Sequence, residues 1–124
     1  MAKDITEITY NENEDILSFW RGNPSNVSIE IGDFIIDVDS SSHIAGFEIM
    51  NASENLNIPD KFLANIEKAS MSVLYKPNYV YIMLKIKLKE KEKDISIPLT
   101  LDLGHKKLER EEVVFQRQFK EPQN

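Results

Sequence analysis

Apolar and polar residues alternate with a period of two along most of the chain, and that alternation predicts strands. Thr6, Ile8 and Tyr10 alternate with Glu7 and Thr9, and "NENED" reads as a turn. Leu17 and Phe19 lie on one face of a second strand, with Ile16 and Trp20 on the other. After the loop "RGNPSN", Val27, Ile29 and Ile31 alternate with Ser28 and Glu30. Gly32-Asp33 makes a tight turn, with glycine at the first central position that a type II′ hairpin needs. Phe34, Ile36 and Val38 then form a returning strand. Opposing Ile31 with Phe34 also opposes Ile29 with Ile36 and Val27 with Val38, so all six share a face. A one-residue slip would set apolar against polar, which specifies the register.

The same test applies to the next hairpin. With "SSSH" as its turn, Val38 meets Ala45, Ile36 meets Phe47 and Phe34 meets Ile49. Asp37, Asp39, Gly46 and Glu48 then fall on the opposite, solvated face. The period changes in "NIPDKFLANIEKA", where Phe62, Leu63, Ile66 and Ala69 recur at helical spacing and Pro59 suits a first turn. This predicts one short helix over 59–68. Three strands follow. Met71, Val73 and Tyr75 lead through "KPNY" into Val80, Ile82, Leu84, Ile86 and Leu88. "KEKEKD" then leads into Ile95, Ile97, Leu99, Leu101 and Leu103. Opposing Tyr75 with Val80 and Leu88 with Ile95 aligns the three apolar faces. Pro98 cannot donate to a ladder, which puts the last strand at an edge. From His105 onward, Leu108, Phe115 and Phe119 make either a weak helical stripe or a frayed tail.

The expected fold class is α+β, mostly antiparallel β, with an N-terminal meander of about five strands, one short helix and a C-terminal three-stranded meander. Residues 1–104 read as a single domain, within which 70–103 form the second meander. Residues 105–124 read as a tail or a short dimerisation element. Two sheets facing each other, or sharing the helix, would bury both apolar faces.

Composition narrows the function. The chain has 124 residues, no cysteine and a net charge of −6. Disulfides, thiol chemistry and cysteine metal sites are excluded, and the default location is cytoplasmic. An acidic chain repels phosphate backbones, so no nucleic-acid partner is expected. No apolar run is long enough for a membrane span, and the first residues lack a secretory pattern, so no membrane association is expected.

Two stretches carry a family resemblance. "ITYNENEDILSF" resembles the opening of the small bacterial and archaeal proteins grouped as domain of unknown function 2283, with Tyr10, Asp15, Leu17 and Phe19 in register and Asn11 in place of the usual Asp. "GDFIIDVDSSSHIAGFEIMNAS" is similar to the family's Asp-x-Asp turn followed by Gly-x-Glu-Ile and Ala-Ser. Asp37, Asp39, Ile44, Gly46, Glu48, Ile49, Ala52 and Ser53 match, while Ser42 replaces a turn glycine. "LNIPDKFLANI" is similar to the Leu-x-x-Pro helix that often follows. The resemblance spans residues 5–67. It implies no established activity and no assigned catalytic residues; an antitoxin-like role follows from it by analogy.

Candidate chemistry is sparse. Asp37, Asp39 and Glu48 share a hairpin face and are the candidates for a hard cation, although a flat strand face rarely converges several oxygens at bonding distance. A solvated face, with Asp39 bonding its own turn, is the simpler account. His43 and His105 are the chain's histidines. One lies in a turn beside Ser40, Ser41 and Ser42 and the other follows a strand, and neither has a readable set of zinc or triad partners. Lys85, Lys87 and Lys89, with Lys91, Lys93, Tyr79 and Tyr81, are the candidates for a nucleic-acid surface, but Glu90, Glu92 and Asp94 interleave with them. No phosphate-binding glycine loop or His-Glu-x-x-His is present, and no cofactor is expected. The expected function is a non-enzymatic protein-interaction module, a homodimer or a binder of an unidentified partner. The alternative is a small-molecule or divalent-metal-binding protein built on the 34–49 hairpin.

Overall fold

The computed structural model describes residues 6–88 and 91–116. Their strands are β1 (Glu7–Asn11), β2 (Ile16–Trp20), β3 (Val27–Ile31), β4 (Phe34–Val38), β5 (Ile44–Ile49), β6 (Lys68–Lys76), β7 (Tyr79–Lys87), β8 (Glu92–Leu99) and β9 (Glu109–Gln116). Two short helices, α1 (Ala52–Leu56) and α2 (Asp60–Leu63), join β5 to β6. All nine strands belong to one mixed sheet in the order β3-β4-β5-β2-β1-β9-β6-β7-β8.

The expected register of β3 and β4 is observed, with Val27 opposite Val38, Ile29 opposite Ile36 and Ile31 opposite Phe34. Gly32 has φ 57°, as the tight turn requires. Phe34 meets Ile49 and Ile36 meets Phe47, also as expected. Val38, however, pairs with Ile44 rather than Ala45, because a bulge intervenes after Asp37. The bulge takes up one residue and leaves both Ile44 and Ala45 buried. Tyr75 faces Val80 as expected. On β8 the pairing differs by four residues, with Ile95 opposite Leu84 rather than Leu88. The Leu88 N–H donates to the Lys91 carbonyl at 2.7 Å, in line with that register. Because the shift is even, the apolar face is kept. Pro98 lies on β8, which is an edge of the sheet.

Three expectations are corrected. The N-terminal half is not a simple meander: β2 lies beside β5, so the 21–26 loop passes the ends of β5 and β4 before β3 begins. That is a Greek-key connection. Gly46 accounts for part of it, since a Cβ there would lie 2.8 Å from the Trp20 ring, so only glycine lets β2 settle against β5 with Trp20 on top. The single helix expected over 59–68 is only the short α2, and a second short helix, α1, precedes it. Asn51 and Asn57, both at positive φ, flank α1, and Pro59 opens α2. Finally, residues 109–116 are a strand. Val113 and Phe115 alternate with exposed neighbours, and β9 pairs antiparallel with β6 from Lys68–Gln116 to Tyr75–Glu109. It also pairs parallel with β1 at Glu7–Gln116. The two halves are therefore one sheet joined by β9, not two sheets face to face. Phe119 and the rest of 117–124 lie outside the described residues.

The sheet curls so that one face lines a continuous core. Ile8, Leu17, Phe19, Ile36, Phe47 and Ile49 from the first half meet Met71, Val73, Val80, Ile82, Leu84 and Phe115 from the second. Phe19 sets its ring against Phe47 at 6.2 Å and edge-on to Phe115 at 5.2 Å, across the junction. Ala52, Leu56, Leu63 and Ile66 from the helical connection complete the core.

Candidate functional site

Several motif residues are engaged in structure. Asp15 has positive φ at the end of the β1–β2 turn. The Tyr10 hydroxyl donates to its Oδ1 at 2.6 Å, and the Ser53 hydroxyl to its Oδ2 at 2.7 Å. The Ser53 N–H donates as well, at 3.1 Å, and the Ala52 N–H donates to the Asp15 carbonyl. Asp15 thus anchors the first turn of α1 to the β1–β2 hairpin. Burial would raise its pKa, but the hydrogen bonds from Tyr10 and Ser53 outweigh it and hold the carboxyl below its ordinary value. Burial, reinforced by the Asp15 carboxylate, pushes the Tyr10 phenol well up.

The three carboxylates of the 34–49 hairpin do not act together. Asp37 is buried, not solvated, and accepts the Ser28 hydroxyl across the β3–β4 ladder. Glu48 lies beside it, and burial, followed by the Asp37 charge, raises its pKa. Asp39 is turned elsewhere. Its Oδ1 accepts from Ser41 N–H at 2.8 Å and His43 N–H at 3.0 Å, and its Oδ2 accepts from the Asn23 amide at 2.7 Å. Asp39 therefore shapes the 39–43 turn, in which Ser42 adopts φ 62°.

That turn presents His43 to the start of β9. His43 Nε2 lies 2.7 Å from Glu109 Oε1, and His105 Nδ1 lies 3.2 Å from Glu109 Oε2. His105 Nε2 lies 2.6 Å from the Ser42 carbonyl, which only an N–H can approach. Tyr75 walls the cluster, its ring centroid 4.5 Å from His105 and 5.3 Å from His43. The ring nitrogens and the carboxylate of His43, His105 and Glu109 all lie within 4.8 Å of one another, the one group among the described residues with the donors for a metal. The hydrogen bond from His43, with the charge of both imidazoles, holds Glu109 below the usual carboxylate range against its desolvation.

A second network lies behind this cluster. The Tyr75 hydroxyl accepts from Ile44 N–H at 2.9 Å and donates to Glu111 Oε1 at 2.8 Å. Arg21 Nη1 meets Glu111 Oε2 at 2.6 Å and also donates to the Ile44 carbonyl. Burial pushes the Tyr75 phenol well up.

Sequence patterning could not assemble the histidine cluster. Its members come from a β4–β5 turn and from β9 with the loop before it, and only the placement of β9 in mid-sheet brings them together. The nearest signal was His105 four residues before Glu109. The lysine candidates lie opposite acidic residues: Lys85 faces Asp94 and Lys87 faces Glu92 across the β7–β8 ladder. The Tyr79 and Tyr81 rings stack at 6.5 Å beside them. Lys89 lies outside the described residues.

Fold and site together define a strand-rich, single-sheet protein whose turn motifs are structural and whose donor-rich cluster joins its two halves. Residues 7–53 match the model of the family described as "Protein of unknown function (DUF2283)", which covers β1 to the start of α1. An uncharacterized protein of Methanocaldococcus jannaschii is 35% identical over 51 residues, which cover 41% of this chain and 43% of the relative. The match thus spans less than half the length of that curated relative. No solved structure matches the chain. Among the described residues, no helix is long and apolar enough to cross a membrane.

Proposed function

We propose that the chain is a non-enzymatic binding module that works in the cytoplasm as a homodimer, with its β3 edges paired. The observation that carries this is the asymmetry of the two sheet edges. β8 is protected by Pro98, Lys93 and Asp94. β3 reads Val-Ser-Ile-Glu-Ile, with neither proline nor lysine, and Val27 is 49% exposed. The sequence is self-complementary about Ile29. In an antiparallel pair centred there, Val27 faces Ile31 and Ser28 faces Glu30, so apolar side chains continue the core face and no like charges meet. Such pairing extends the sheet by main-chain hydrogen bonds, a common mode of strand recognition. Residues 109–116 of the tail, expected at the interface, are already engaged within their own sheet, which leaves β3 as the better edge. An antitoxin-like role would set the same edge against a different chain, and the protein alone would then be monomeric.

Sedimentation at micromolar concentration tests the reading. The wild type should run at twice the monomer mass. Val27→Lys, at a position the monomer leaves half exposed, should run as a folded monomer. A monomeric wild type, or a dimer that Val27→Lys leaves intact, would overturn it.

A further inference from the structure

We propose that His43, His105 and Glu109 form a binding site for a borderline divalent cation of the zinc type, one that fastens the 39–43 turn to the start of β9. Two imidazole nitrogens and a carboxylate suit zinc and its late first-row neighbours; calcium and magnesium prefer oxygen donors throughout. The three donors come from separate segments yet already lie within 4.8 Å of one another. Zinc bonds of about 2.0–2.2 Å to nitrogen and oxygen place tetrahedral ligands roughly 3.3–3.6 Å apart. The His43–Glu109 and His105–Glu109 separations of 2.7 and 3.2 Å need only small side-chain adjustments to admit an ion.

The orientation of His105 adds an independent argument. Its Nε2 faces the Ser42 carbonyl and must carry the hydrogen. Its Nδ1 is the atom aimed at Glu109, 3.2 Å from Oε2. A ligand imidazole whose other N–H is held by a backbone carbonyl is the usual arrangement around a protein-bound metal. The supports for His43 are equally fixed: Asp39 Oδ1 accepts from its backbone N–H, and the Tyr75 ring packs edge-on to it. Glu109 is 47% exposed, so an ion can enter from solvent, and three protein ligands leave a fourth position for water.

The site would act as a structural fastener. Its ligands come from the family-matching segment on one side and from the loop and strand that close the sheet on the other. A cation bound there stabilises the joined state and has no preformed site in the unfolded chain.

Isothermal titration of the tag-free full-length chain with Zn²⁺ tests the proposal, with Co²⁺ absorption as a reading of the donor set. One equivalent should bind, Co²⁺ should give a visible spectrum of a low-symmetry site, and the melting temperature should rise with added metal. His43→Ala and His105→Ala should each weaken binding by at least about 10–100-fold, the loss that even an outer-shell partner commonly produces. Glu48→Gln, outside the cluster, should bind as the wild type does. If His105→Ala fails to fold, His43→Ala in the turn still decides the matter. Absence of saturable Zn²⁺ binding to the folded wild type, binding unchanged in both histidine variants, or equal response to Ca²⁺ and Mg²⁺ would overturn the assignment.

Discussion

At the scale of single residues, three aspartates take their roles from their hydrogen-bond partners. Asp15, Asp37 and Asp39 all lie in the segment that matches the family model, and each is engaged in hydrogen bonds that hold backbone or neighbouring strands. Asp15 makes a measurable prediction. Its folded-state pKa is lowered, so its contribution is fully present above the unfolded carboxylate value of about 3.9 and is lost as pH falls through the folded value. Denaturant melts of the wild type and Asp15→Asn should therefore differ most above about pH 5 and converge in acid. A stability gap that stays constant from neutral pH down to pH 3 would show that the carboxylate's charge is not what matters there.

At the scale of elements, the tight turns follow local chemistry. Gly32 has φ 57°, and a Cβ added there meets nothing within 4 Å, so any cost of substitution is that of the backbone alone. Gly32→Val should destabilise the chain by about 1 kcal/mol or more, read from urea unfolding at constant m-value. The hairpins were legible because alternation and turn residues agree: Ile31 and Phe34 flank Gly32-Asp33 and leave one sensible register. What was not legible depended on distant contacts. The Greek-key placement of β2 depends in part on Gly46 lying under Trp20, which no local pattern reports. β9 was obscured because Leu108, Phe115 and Phe119 imitate helical spacing, while Val113 and Phe115 carry the period that counts. The metal donors are invisible in sequence for the same reason, since His43 acquires its neighbours only once β9 is in place.

At the scale of the whole molecule, Tyr75 ties the halves together in the buried interior. Its hydroxyl accepts a hydrogen bond from Ile44 N–H on β5 and donates one to Glu111 on β9, which in turn holds Arg21. Tyr75→Phe removes one oxygen and leaves a buried N–H without its acceptor, so thermal or urea unfolding should show a loss of about 1–3 kcal/mol. Phe preserves the ring volume, and a neutral result would mean that water replaces the hydroxyl.

The position of β9 also has a consequence for vectorial synthesis. Ribosomes deliver strands in chain order, yet the strand that fills the middle of this sheet follows the other eight. Until it emerges, β1 and β6 each present a bare edge, and the nascent chain holds two half-sheets with a slot between them. Bare edges of that kind recruit other strands. A fragment ending at residue 108 should accordingly bind a hydrophobic dye and aggregate on standing, and a synthetic peptide of residues 109–116 added in trans should suppress both. A fragment that stays monodisperse without the peptide would mean the slot closes by itself.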